Sequence, residues 1–186
     1  MNTKIHNLSL GGITGIIFGF LGIIFIYFIH FILNQYLSVS EGVSLLPISF
    51  FQLLLVAICF FFILFSYILI LFINKKRKKR NSKKWEINER KIRRIYLIHL
   101  IFGGIILYYI VFLGELKLII PTSLILYGIA GILVDKYTRG STKILGILFI
   151  FNGILALIYP SYSFILWGIA FGIYHICYGI IYYNNI

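Results

Sequence analysis

The chain has 186 residues, of which 61% are hydrophobic and 12% charged. A mean hydropathy of +1.00 lies outside the range of soluble globular domains and excludes a water-facing fold. The net charge of +12 would raise nucleic-acid binding, but most of it sits in one stretch between apolar runs, which points to membrane orientation and anionic lipid instead.

The apolar runs predict an all-α polytopic membrane bundle of six transmembrane helices, forming one domain over 1–186. Each is set against a hydrocarbon core about 30 Å thick. The first span is predicted over 10–37 and reads as a retained helix, since no small-residue cleavage site follows it. Gly11, Gly15 and Gly19 recur every fourth residue there, which puts them on one helix face and lets another helix approach closely. Packing within the chain and homo-oligomerisation both fit that face. Gly168 and Gly172 offer a similar surface in the last span.

Pro47 opens a second span over 45–73, where a proline in a first helical turn loses no hydrogen bond. The polar stretch 74–94 follows. It holds twelve of the seventeen Lys and Arg residues, among them Lys75, Lys76, Arg77, Lys78, Lys79, Arg80, Lys83 and Lys84. These are the predicted contacts to anionic headgroups, and no nucleic-acid partner is expected. The third span is predicted over 95–113. A connector as short as Gly114-Glu115-Leu116-Lys117 then turns the chain into a fourth span over 118–134. A polar loop from Asp135 to Lys143 leads to a fifth span over 144–159, and Pro160 introduces the sixth over 161–183.

Sidedness follows from counting cations. With 74–94 in the cytoplasm, six spans put both termini there, with sixteen of the seventeen Lys and Arg inside and Lys117 alone outside. The expected location is the inner, cytoplasmic membrane. All three prolines open even-numbered spans on the outer side. Leu126-Tyr127-Gly128-Ile129-Ala130 after Pro121 and Leu166-Trp167-Gly168-Ile169-Ala170 after Pro160 are related strings. They predict three stacked helical hairpins, one-two, three-four and five-six. Such a repeat is parallel, not the inverted kind common in alternating-access transporters.

Ionisable groups inside spans are costly and become functional candidates by default. His99, His175 and Asp135 fall at similar depth, so a proton relay or a metal site is one reading and separate hydrogen bonds to neighbours the other. Asn152, near the middle of the fifth span, needs an amide partner and is read as interhelical glue or as part of a polar pathway with those three. Cys59 and Cys177 lie in spans without metal-ligand spacing and read as small buried hydrophobes. The chain has no P-loop, GxSxG or HExxH motif and five acids in all. An enzyme, a cofactor or a resident metal is therefore not expected.

Leu8-Ser9-Leu10-Gly11-Gly12-Ile13-Thr14-Gly15, Lys84-Trp85 with Arg93-Arg94, Ile125 to Ala130, Lys136-Tyr137-Thr138 and Trp167 to Gly179 together resemble an uncharacterised six-span membrane protein family of Bacteroidota. The hairpin from Gly146 to Gly179 is also similar to the repeating hairpin of HdeD-type acid-resistance membrane proteins. The first resemblance implies an inner-membrane location and no known activity, and neither implies a catalytic residue. The expected role is structural, envelope-maintaining or stress-related. A small channel or transporter is the alternative, marked by a continuous polar track through the bundle.

Overall fold

The computed structural model describes residues 12–40, 68, 87–138 and 141–182, with side chains for 12–31, 68, 90–138 and 141–182. The second span expected over 45–73, apart from Ile68, lies outside the described residues. So do Gly11, Cys59 and the cations Lys75, Lys76, Arg77, Lys78, Lys79, Arg80, Lys83 and Lys84.

Among the described residues the chain is helical, with no β-strand. Helix α1 runs Ile13–Ser40, α2 Ile87–Phe112, α3 Ile119–Asp135 and α4 Thr142–Ile158. Helix α5 is the rod Pro160–Ile181, built from a 3-10 turn Pro160–Tyr162, an α segment Ser163–Gly168, a π segment Ile169–Tyr174 and an α segment His175–Ile181. Among the described residues four stretches are long and apolar enough to cross a membrane: Ile13–Phe31, Arg90–Phe112, Leu116–Asp135 and Pro160–Ile181. The fifth, Thr142–Ile158, has 17 residues, or about 26 Å of helix at 1.5 Å per residue. The outward faces carry Phe20, Ile24, Ile101, Phe102, Phe112, Ile144 and Phe151 in the open. Large exposed apolar side chains on several helices suit lipid and not water. The molecule is a multi-pass helical membrane protein.

Most helix ends fall within a few residues of the sequence prediction, and α2 is the exception. It begins at Ile87, eight residues ahead of the predicted 95. Hydropathy marks only the part of a helix that fits lipid, whereas Glu89, Arg90, Lys91, Arg93 and Arg94 are good helix formers that extend it beyond. At its other end Gly114 takes φ +77°, a left-handed conformation that a side chain would strain. The Glu115 N–H donates to the Ile110 carbonyl at 3.1 Å and the Gly114 N–H to Val111 at 3.0 Å. These crossed bonds close α2 in a Schellman motif and satisfy carbonyls that water would otherwise have to meet.

Among the described helices the closest pairing is α3 with α4, followed by α1 with α5. The expected hairpins α2–α3 and α4–α5 also touch, but less extensively. Glycine explains the ranking. A methyl group on Gly128 would stand 2.6 Å from the Gly146 carbonyl oxygen, and one on Gly146 would stand 2.5 Å from the Gly128 carbonyl. Backbone thus lies on backbone, where dispersion contacts replace the missing hydrophobic drive between helices in lipid. Likewise a methyl on Gly19 would lie 2.6 Å from the Gly172 carbonyl. Gly168 packs beside Ile26, and Gly15 is buried. Gly19, Gly168 and Gly172 are therefore used inside one chain. The core between the helices is aromatic and aliphatic: Leu124, Leu145, Phe149, Ala156, Ala170, Phe171 and Tyr178. Cys177 corrects the sequence reading, since it is free and exposed on the outside of α5.

Candidate functional site

The polar groups with the largest cost of burial gather where α5 faces α3 and α4. His175 begins the last α segment of α5, directly after the π turn, and its side chain is completely buried. Its Nδ1 lies 3.2 Å from the Ala170 carbonyl, five residues back, across the π turn. A carbonyl only accepts, so Nδ1 carries the hydrogen. Nε2 lies 2.8 Å from the Tyr127 hydroxyl of α3, whose hydrogen it accepts in the neutral ring. Both ring nitrogens therefore have a partner. Rings close around it: Phe18 at 4.8 Å, Phe149 at 5.3 Å, Phe171 at 5.8 Å and Tyr127 at 5.5 Å between centroids. π turns often mark functional positions, and this one places the His175 ring among the aromatics.

Asn152 of α4 ties its helix to α5. Its Nδ2 donates to the Leu166 carbonyl at 3.2 Å, and its Oδ1 accepts the Tyr174 hydroxyl at 3.3 Å. Ser163 adds a second tie, donating to the Ala156 carbonyl at 3.3 Å. The Phe149 ring contacts Tyr127, His175 and Tyr174, so an apolar ring touches both the histidine pair and the asparagine set.

Asp135 ends α3 and works on the start of α4. Its Oδ1 accepts the Lys143 backbone N–H at 3.0 Å and the Thr142 hydroxyl at 3.2 Å. The residue at the cap itself, Ser141, makes no side-chain cap bond. Its N–H donates instead to the Tyr182 hydroxyl at 3.0 Å. Thr138 and Thr142 share a hydroxyl–hydroxyl bond of 2.9 Å. Asp135 is therefore a helix cap supplied from the preceding helix, meeting one of the four unpaired donors of a helix start.

His99 stays on its own helix, with Nδ1 donating to the Ile95 carbonyl at 2.9 Å. The four candidates His99, Asn152, His175 and Asp135 thus each close on different partners. Among the described residues no three His, Cys, Asp or Glu side chains are grouped so as to hold a metal ion. Sequence reasoning missed Tyr127 as the partner of His175. The signal was present in the repeat, where Tyr127 and Trp167 occupy the same place in Leu-Tyr-Gly-Ile-Ala and Leu-Trp-Gly-Ile-Ala. Only the tyrosine has an oxygen to offer, while Trp167 stacks on Phe171 at 4.4 Å.

Comparison with protein-family models, with curated proteins and with solved structures finds no match to this chain. The functional reading rests on the fold and on these contacts.

Proposed function

We propose that the chain is a non-enzymatic, six-span protein of the inner, cytoplasmic membrane with a structural, envelope-maintenance or stress-related role. The observation that carries this reading is that the four polar candidates His99, Asn152, His175 and Asp135 each close on a local partner. Tyr127 meets His175, Tyr174 and Leu166 meet Asn152, and Thr142 and the Lys143 N–H meet Asp135. Polar groups satisfied pairwise hold helices together, at about 0.6 kcal/mol each on average in membranes. A conduction path would need such groups linked end to end.

Counting the apolar 45–73 and α4 with the four long spans gives six, and three stacked hairpins agree with the prolines at 47, 121 and 160. The sixteen-to-one cation asymmetry supports cytoplasmic termini. The basic stretch Lys75 to Lys84 would hold anionic headgroups at about 1 kcal/mol per cation. The resemblance to the six-span Bacteroidota family agrees with this assignment.

The test is a deletion strain under acid and osmotic stress, complemented with the wild type, His99→Ala and His175→Ala at matched protein levels. Full complementation by both variants is expected. The second reading, a proton-coupled channel or transporter, draws on the π turn beside His175. It requires proton flux in liposomes that His175→Ala abolishes while the protein stays folded.

A further inference from the structure

The first two turns of α2 carry a feature that the proposed role leaves unused. Arg90, Arg93, Arg94 and Leu97 line an open cavity of about 510 Å³. Spacings of three and four put these side chains on one face of the helix. The same face continues through Ile101, Gly104, Ile105 and Tyr108. Ile101, Ile105 and Tyr108 are 58%, 62% and 73% exposed, and a methyl group on Gly104 would meet nothing within 4 Å. The cavity thus has a cationic rim at the end of a span and an apolar stripe running from it along the helix. More cations stand close by. The Nζ atoms of Lys91 and Lys136 lie 5.4 and 5.0 Å from the centre of the Tyr137 ring. The nearest acid on the described part of α3, Asp135, is already held by Thr142 and the Lys143 N–H. Glu89, one turn before Arg93, is the acid on α2 itself.

We propose that Arg90, Arg93 and Arg94 seat the phosphate of an anionic phospholipid whose acyl chain lies along Leu97, Ile101, Gly104 and Ile105. Guanidinium groups match phosphate through paired, charge-assisted N–H bonds, which a lysine cannot reproduce. A free phosphate would use only the rim, whereas the stripe beneath it selects a molecule with a hydrocarbon tail. The inference builds on the anionic-lipid reading above but moves the specific contact from the 75–84 cations to α2.

The test uses the full-length chain in detergent and native mass spectrometry with phosphatidylglycerol against phosphatidylcholine. Arg93 already has an interaction of its own, so the variant is Arg90→Gln with Arg94→Gln. Phosphatidylglycerol retention should fall roughly tenfold or more, while Lys75→Gln with Lys76→Gln should leave it nearly unchanged. Equal retention by the Arg variant and wild type, with loss only in the Lys variant, overturns this seat and leaves the general lipid reading standing. No preference for phosphatidylglycerol in the wild type removes both. Displacement of the lipid by millimolar inorganic phosphate would show an anion site without a lipid tail and overturn the proposal. Independently, Ile101→Trp should be quenched by brominated acyl chains. An unquenched Trp would mean that the stripe is covered by 45–73 or by a second copy, and the lipid seat would be lost.

Discussion

The two tight helix crossings among the described residues are built to the same plan and differ in one place. In α3 and α4, Gly128 is followed four residues later by Ile132, and Gly146 by Ile150. Each glycine receives the other backbone and the other helix's isoleucine. In α1 and α5 the same reciprocal set is Gly19 with Ile23 and Gly172 with Ile176. The first crossing is close both ways, at 2.6 and 2.5 Å from a built methyl to the opposing carbonyl. The second is close one way only, with 2.6 Å at Gly19 but 3.6 Å from Gly172 to the Gly19 carbonyl. Three residues past the crossing glycine, α3 has Gly131, whose methyl would lie 3.3 Å from the Gly146 Cα. At the matching place α5 has His175, turned into the aromatic core. The first crossing is glycine against glycine at its centre. The second is looser on one side, and its helix α5 carries His175, whose hydroxyl partner Tyr127 comes from α3.

That difference can be broken most severely at Gly146. Gly146→Leu puts a bulky side chain against the Gly128 carbonyl, which cannot move aside. A loss of about 3 kcal/mol or more is expected, seen as failure to recover monodisperse protein after extraction. A milder effect is expected at Gly172, whose closest neighbour is the Ile23 Cγ1 at 2.5 Å and not backbone. Gly172→Ala should cost about 1–2 kcal/mol, and Ile23→Ala, which removes that Cγ1, should then cost less than it does in the wild type. Gly128→Ala should show no such relief from Ile150→Ala, because the Gly146 carbonyl remains in the way. Thermal denaturation monitored by size-exclusion chromatography ranks these variants. The smallest effect belongs to the polar pair. Tyr127→Phe leaves the His175 Nε2 without its donor, at a cost of about 1 kcal/mol. His175→Leu in the Tyr127→Phe background should then add less than it does alone. Equal increments in both backgrounds would mean that the hydroxyl and the ring act separately.

The four long spans were legible because their apolar runs exceed any soluble helix of the same length. The start of α2 was not, because a helix that leaves lipid keeps its backbone bonds while its hydropathy collapses. The related strings around Gly128 and Gly168 reveal the repeat but not the contact. The structure uses Gly172, one turn later, against Gly19, since a crossing point depends on how two helices slide and no single string encodes that. The same holds for His175, whose partner Tyr127 is 48 residues away. Depth alone makes His99 and Asp135 its neighbours, and depth does not say which way a side chain points. Asn152, by contrast, faces inward as its chemistry demands, because an amide in hydrocarbon must find a partner wherever it sits.

The π segment Ile169–Tyr174 also sets the phase of the helix beyond it. A wider turn holds one surplus residue, so the final stretch of the rod is rotated by about 100° from where an uninterrupted α-helix would leave it. Gly179 rests on Gly12 and Ile16 only in this rotated setting. Deleting a single residue between 169 and 174 would straighten the rod, swing Gly179 away and leave the opening turn of α1 without its seat.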